Sequence, residues 1–148
     1  MATGTILCTA CGGAPACTLD SSGALDGEGV IVIPRRDLYL LGLLNSSLSR
    51  FLFLEQGSGL PFGSLERFPV YIPDFSDPAD TARHDRMVAL VTRMLDLHHR
   101  IQEGMPEHDK AIIRRQIEVT DREIDNLVYE LYDLTEEERR IVKEAAGK

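Results

Sequence analysis

Two segments decide the fold: RMVALVTRMLDLHHRI, residues 86–101, and AIIRRQIEVTDREIDNLVYEL, residues 111–131. In the first, Met87, Leu90, Met94, Leu97 and Ile101 recur at steps of three and four, the a/d rhythm of a coiled-coil seam. In the second, Ile113, Ile117, Thr120, Ile124, Leu127 and Leu131 keep that rhythm, and only Thr120 is polar. Gly104, Met105, Pro106 and Glu107 lie between them; a glycine followed by a proline ends one helix and lets another start. The pattern predicts an antiparallel helical hairpin.

Antiparallel packing sets each a residue beside a d residue of the other helix. Pairing Met87 with Leu127, Leu90 with Ile124, Met94 with Thr120, Leu97 with Ile117 and Ile101 with Ile113 places the turn near Glu107. Arg86, Arg93 and Arg100 then meet Glu130, Glu123 and Gln116. Sliding by one heptad moves the turn toward Gly104 and strands Leu127 and Leu131. Each rim pair is worth at most about 0.5 kcal/mol, so the charges select the register while the apolar seam supplies stability.

Working outward, Thr135 followed by Glu136, Glu137 and Glu138 reads as a capping box. It predicts a short helix to about Ala145, folded on the hairpin through Leu134, Ile141 and Val142. Asp77 before Pro78 supplies a cap and a first-turn proline for the first hairpin helix. Upstream, Phe68, Val70 and Ile72 alternate like a short edge strand confined by Pro69 and Pro73. Asp37 caps a leucine-rich helix over about 38–54 that is apolar on more than one face, with Asn45, Ser46, Ser47 and Ser49 as its small polar side. Val30–Ile33, bounded by Gly29 and Pro34, predicts a buried strand over about 30–34. Residues 1–28, rich in Gly, Ala, Ser and Thr, predict weakly ordered, irregular or weakly strand-like structure. The expected fold is α+β, mainly α: a small strand-containing part over residues 1–75, then a long antiparallel hairpin (coiled coil) and closing helix over residues 76–148.

The 148 residues are 43% hydrophobic and carry a net charge of −8, divided as −3 up to Phe75 and −5 beyond it. Free-standing nucleic-acid binders usually present a basic surface, so contact with DNA here requires a local basic patch or an attached partner domain. No apolar run approaches the ~20 residues of a membrane span, and the N-terminus lacks a basic leader, so no membrane association and a cytoplasmic location are expected. Cys8 and Cys11 form a C-x-x-C, with Cys17 nearby, but no histidine precedes His84. A zinc site needs four ligands, so free thiols, no metal and no cofactor are expected.

The runs Asp37–Ser47, Phe68–Pro73 and above all Glu123–Glu138 resemble the C-terminal end of Eco57I-type restriction-modification enzymes. In that family an N6-adenine DNA methyltransferase domain is followed by a TaqI-like target-recognition domain ending in long helices. The helical ending also resembles the specificity subunits of type I systems. The likeness spans roughly residues 20–146. The chain departs from the family in lacking the Asn-Pro-Pro-Tyr/Phe motif that holds a flipped adenine, a glycine-rich turn for S-adenosylmethionine, and a nuclease motif. The resemblance therefore implies a detached, non-catalytic target-recognition piece, with residues 1–75 a partial recognition lobe. It implies DNA as partner only together with a methyltransferase domain or subunit. The rival expectation is a helical interaction protein or homodimer, and a gene fragment is compatible with the missing upstream half.

Arg35 and Arg36, between a strand and a helix start, are either phosphate ligands or a solvated pair, and Arg67 carries the same two readings. Arg86, Arg93 and Arg100 could track phosphates, but the register assigns them partners inside the hairpin. Val91, Leu95 and Val128 lie off the seam and widen the apolar face into a candidate interaction surface. Tyr129 and Tyr132 share one face, either packed under the last helix or forming a binding hot spot. His98 and His99 point to different faces, which argues against a metal pair. No nucleophile, base and acid set has motif support.

Overall fold

The structure, a computed structural model, describes residues 5–11, 14–20, 30–33, 37–55 and 69–147. Its elements are β1 (Thr5–Cys11), β2 (Ala14–Asp20), β3 (Val30–Ile33), α1 (Leu38–Leu44), α2 (Ser47–Glu55), α3 (Pro78–Ile101), α4 (Glu107–Leu131) and α5 (Glu136–Ala145). The chain is mainly helical, and α3 and α4 pack as a hairpin. The three strands form an antiparallel sheet in the order β2-β1-β3. Residues 1–28, expected to be weakly ordered, thus contribute two paired strands. Their ladder sets Cys8 opposite Cys17 along the backbone.

The hairpin follows its heptads. Met87, Leu90, Leu97, Ile113, Thr120, Ile124, Leu127 and Leu131 are buried, each large apolar side chain contributing about 1.5–3 kcal/mol. Thr120, the polar member of the seam, satisfies its hydroxyl by donating to the Gln116 carbonyl at 2.8 Å. The turn is displaced from expectation. Gln102 caps α3, Gly104 adopts φ +58°, and α4 begins at Glu107, so the connection runs through Gln102–Pro106 rather than around Glu107. Glycine at 104 is suited to that left-handed backbone.

Local cap chemistry appears where the sequence places it. Asp37 accepts from the Leu40 N–H at 3.0 Å, and Asp77 accepts from Ala79 at 3.0 Å with Pro78 as first helical residue. Thr135 and Glu138 complete a reciprocal capping box at 3.2 and 2.9 Å. α5 closes on the core through Val142 and Leu134, whereas Ile141 is exposed. On a helix, adjacent residues cannot share one narrow contact, and Val142 takes the inward position.

The helix expected over 38–54 is two helices. Asn45 and Ser46 intervene and Ser47 opens α2, and each of these short polar side chains takes a partner other than the helical ladder. Asn45 ends α1 and turns its amide to β2, accepting from the Cys17 N–H and donating to the Cys17 carbonyl, both at 2.8 Å. Ser46 Oγ donates to the Leu43 carbonyl at 2.7 Å and accepts from the Ser49 N–H at 3.3 Å, serving as a cap for α2. Ser47 donates through both its backbone N–H (2.9 Å) and its hydroxyl (2.6 Å) to the buried Asp125 carboxylate of α4. α1 lies against α3 at Gly42, where a Cβ would stand 2.6 Å from Met87 Sδ and 2.8 Å from Val91 Cγ2. Glycine is what permits that approach.

Candidate functional site

Pro69–Asp74 crosses the base of the hairpin as a strap. The sequence pattern predicts an edge strand there; the structure assigns no strand to 69–74 and anchors the segment by phenol groups instead. Tyr39 of α1 donates its hydroxyl to the Tyr71 carbonyl at 2.7 Å. Tyr132, at the end of α4, donates to the Pro69 carbonyl at 2.6 Å and accepts from the Tyr71 N–H at 2.9 Å. Tyr71 donates to Asp80 at 2.8 Å, and the same carboxylate accepts from the Asp74 N–H at 2.9 Å and from Arg83 at 3.1 Å. Prolines at 69 and 73 lack N–H donors, so side chains rather than a neighbouring strand supply the pairing.

Electrostatics agree with that geometry. The Asp74 N–H first, then the Tyr71 hydroxyl, hold the Asp80 carboxyl below its ordinary range. Burial pushes the Tyr39 phenol far up, and burial also raises Tyr132. Tyr71 is raised chiefly by its bond to Asp80. All three phenols are therefore kept as neutral donors. The His84 ring lies between Tyr39 and Phe75, each 5.1 Å away between centroids.

Above the strap, a cavity of about 430 Å³ opens between β2, α1, α3 and α4. Its apolar wall includes Leu41, Val91, Met94, Leu95 and Ile124, and its polar rim Asn45, His98, Gln102 and Asp121. Ile124 of α4 thus shares this wall with Val91, Met94 and Leu95 of α3.

The interaction-surface candidates do not form a surface. Val91, Val128 and Tyr129 are buried within the chain, and Leu95 is half-buried in the cavity wall. Tyr129 packs under α5, with Arg139 and Lys143 each 5.9 Å from its ring centroid. Tyr132 serves the strap and meets the Tyr71 ring edge-on at 6.0 Å. The heptad pattern marks these positions as surplus to the seam, but α1, α2, α5 and the strap use that surplus. Among the described residues, the exposed large apolar side chains are instead Val70, Ile72, Phe75, Ile112 and Ile141, three of them on or beside the strap.

Arg35, Arg36 and Arg67 lie outside the described residues. Arg86, Arg93 and Arg100 are exposed, and no ion pair joins them to Glu130, Glu123 or Gln116. Holding two long side chains in one geometry costs entropy that a solvated ion pair barely offsets, so heptad opposition alone does not close these pairs. The ion pairs that form are local, such as Arg83 with Asp80, Arg114 with Glu107, and Arg140 with Glu137 and Glu144. Cys17 is disulfide-bonded rather than a free thiol. Disulfides persist in oxidising compartments, so this bond and the cytoplasmic expectation pull in opposite directions.

Asp80 and Asp125 are the structurally decisive residues that sequence reasoning passes over. Asp125 carried a readable signal: it is three and four residues from Val128 and Tyr129, so its carboxylate falls on an apolar face. Among the described residues, no group of three His, Cys, Asp and Glu side chains is placed to hold a metal ion, and no helix is long and apolar enough to cross a membrane. No family model, curated protein or solved structure matches this chain.

Proposed function

We propose that this chain is a non-catalytic target-recognition and docking module of a DNA modification system that works with an N6-adenine methyltransferase. The observation that carries the reading is the convergence of the three segments on which the family likeness rests. Asp37–Ser47, the 69–73 strap and Glu123–Glu138 are distant in sequence, yet Tyr39 bonds Tyr71, Tyr71 bonds Tyr132, and Ser47 bonds Asp125, all within 2.6–2.9 Å. They form one connected unit at the base of the hairpin, as expected if they belong to one inherited module rather than to three chance resemblances. The whole hairpin, with helices of 24 and 25 residues, is about 36 Å long and suits a rigid arm that sets the distance between a recognition lobe and a catalytic partner.

The test begins with the neighbouring reading frames, where an adenine methyltransferase lacking its own C-terminal domain is expected, and proceeds to gel-shift and co-purification with that enzyme. A stable complex that binds DNA more tightly than either component supports the reading. The absence of both a complex and a shift at low salt refutes it. A second reading, a protein-contact module without DNA, is favoured by the exposed Val70, Ile72 and Phe75 beside the strap. Sedimentation showing a stable dimer indifferent to DNA would select it.

A further inference from the structure

We infer that the outer flank of α3 is a phosphate-contacting surface for duplex DNA, with Arg86, Arg93 and Arg100 as its three ligands. The inference rests on the DNA-module reading and names the surface through which that module holds the DNA backbone. Ala82, Arg86, Ala89, Arg93, Asp96 and Arg100 follow one another in steps of four and three, which keeps them on one stripe, and all six are exposed. The three arginines are spaced about 10.5 Å apart along a line of about 21 Å. Among the described residues no acid pairs with them: Asp96, between the second and third, pairs with neither, and Glu123 and Glu130 of α4 pair with none.

The composition of the stripe selects the partner. A protein-docking face usually packs an aromatic anchor, Trp or Tyr, beside any arginine at its centre. This flank has none, because its uncharged members are two alanines. Small side chains beside each of the first two arginines let a smooth, highly charged object approach the helix closely. Guanidinium groups suit phosphate oxygens, which they can grip with two parallel N–H donors. The net charge of −8 opposes approach elsewhere, so a local line of three unneutralised cations is the kind of patch that an acidic protein needs to touch DNA at all.

The test uses the full chain, a fluorescein-labelled 30-base-pair duplex and fluorescence anisotropy between 50 and 200 mM salt. Arg86→Gln, Arg93→Gln and Arg100→Gln are combined in one variant. Arg114→Gln with Arg140→Gln, which removes two arginines already engaged in ion pairs, serves as control. The triple variant is expected to bind about tenfold or more weakly at 50 mM salt, and its log K against log salt slope to be shallower by about 2–3, close to 0.9 per lost phosphate contact. The control keeps the wild-type slope. Matching circular dichroism spectra verify that each variant is folded. If the triple variant keeps wild-type affinity and slope, the inference is overturned while the DNA-module reading stands, because binding persists. If the wild-type chain does not bind the duplex at 50 mM salt, the inference is likewise overturned, and the module reading is then judged by the methyltransferase complex alone. Displacement of the duplex by polyglutamate at equal charge overturns the phosphate assignment in favour of an acidic protein.

Discussion

Replacing Asp125 with alanine removes a carboxylate that accepts from both donors of Ser47, its N–H at 2.9 Å and its hydroxyl at 2.6 Å, at a buried site. Removing the acceptor of a buried donor costs about 1–3 kcal/mol, and two donors lose this acceptor here. Loss of the carboxylate's own desolvation cost offsets part of this, which leaves about 3 kcal/mol. With a urea dependence of about 2 kcal/mol per M, the denaturation midpoint followed by circular dichroism should fall by about 1.5 M. Ser47→Ala removes only the hydroxyl and should cost about 1–2 kcal/mol. In the double variant the hydroxyl and its acceptor disappear together, so its loss should fall short of the sum by about 1–2 kcal/mol. A loss below about 1 kcal/mol for Asp125→Ala, or additivity within about 0.5 kcal/mol, refutes the claim that this carboxylate holds α2 onto α4.

Gly42→Val forces a branched side chain into the contact with Met87 and Val91, and should destabilise the fold by about 2 kcal/mol or more in urea unfolding. Thr135→Ala removes the cap of α5 and should cost about 1 kcal/mol, read as a lower melting temperature. Asp80 has a folded pKa depressed below its ordinary value of 3.8, so its stabilisation is present above that value and is lost as pH falls through the folded pKa. The wild-type melting temperature should therefore drop more steeply below pH 4 than that of Asp80→Asn. Thiol titration of the unfolded, unreduced chain should find one free thiol of the three rather than three, because Cys17 is in a disulfide.

What the sequence made legible were features whose chemistry is local. The Thr135–Glu138 box, the Asp77–Pro78 start and the heptads of α3 and α4 each depend on residues within a turn or two of one another, so spacing alone specifies them. The break between α1 and α2 was not legible in this way, since the acceptor that draws Ser47 out of a continuous helix lies 78 residues downstream. The strap departs from its reading as an edge strand: no strand forms over 69–74, Phe68 lies outside the described residues, and the pairing groups are phenols from residues 39 and 132 rather than a second strand. At the candidate site, the arginine spacing could be read directly. The absence of partners could not, because pairs worth a few tenths of a kcal/mol are decided by side-chain freedom and not by register. Val91 and Val128 were misassigned for the opposite reason, as the helices that bury them are specified elsewhere in the chain, whereas Tyr129 takes the first of its two readings, packed under α5.

The Tyr71 amide proton is held by an oxygen 61 residues away, and no contact within its own segment closes that bond. Its exchange with solvent therefore times the assembly of the whole molecule: it can slow only after the far end of α4 has returned to the base. In refolding from denaturant, pulse labelling should find this proton protected later than the backbone protons inside α3 or α4, which need only their own helical turns. A single amide on an irregular segment thus serves as a clock for completion, placed where N-terminal and C-terminal halves of the chain meet.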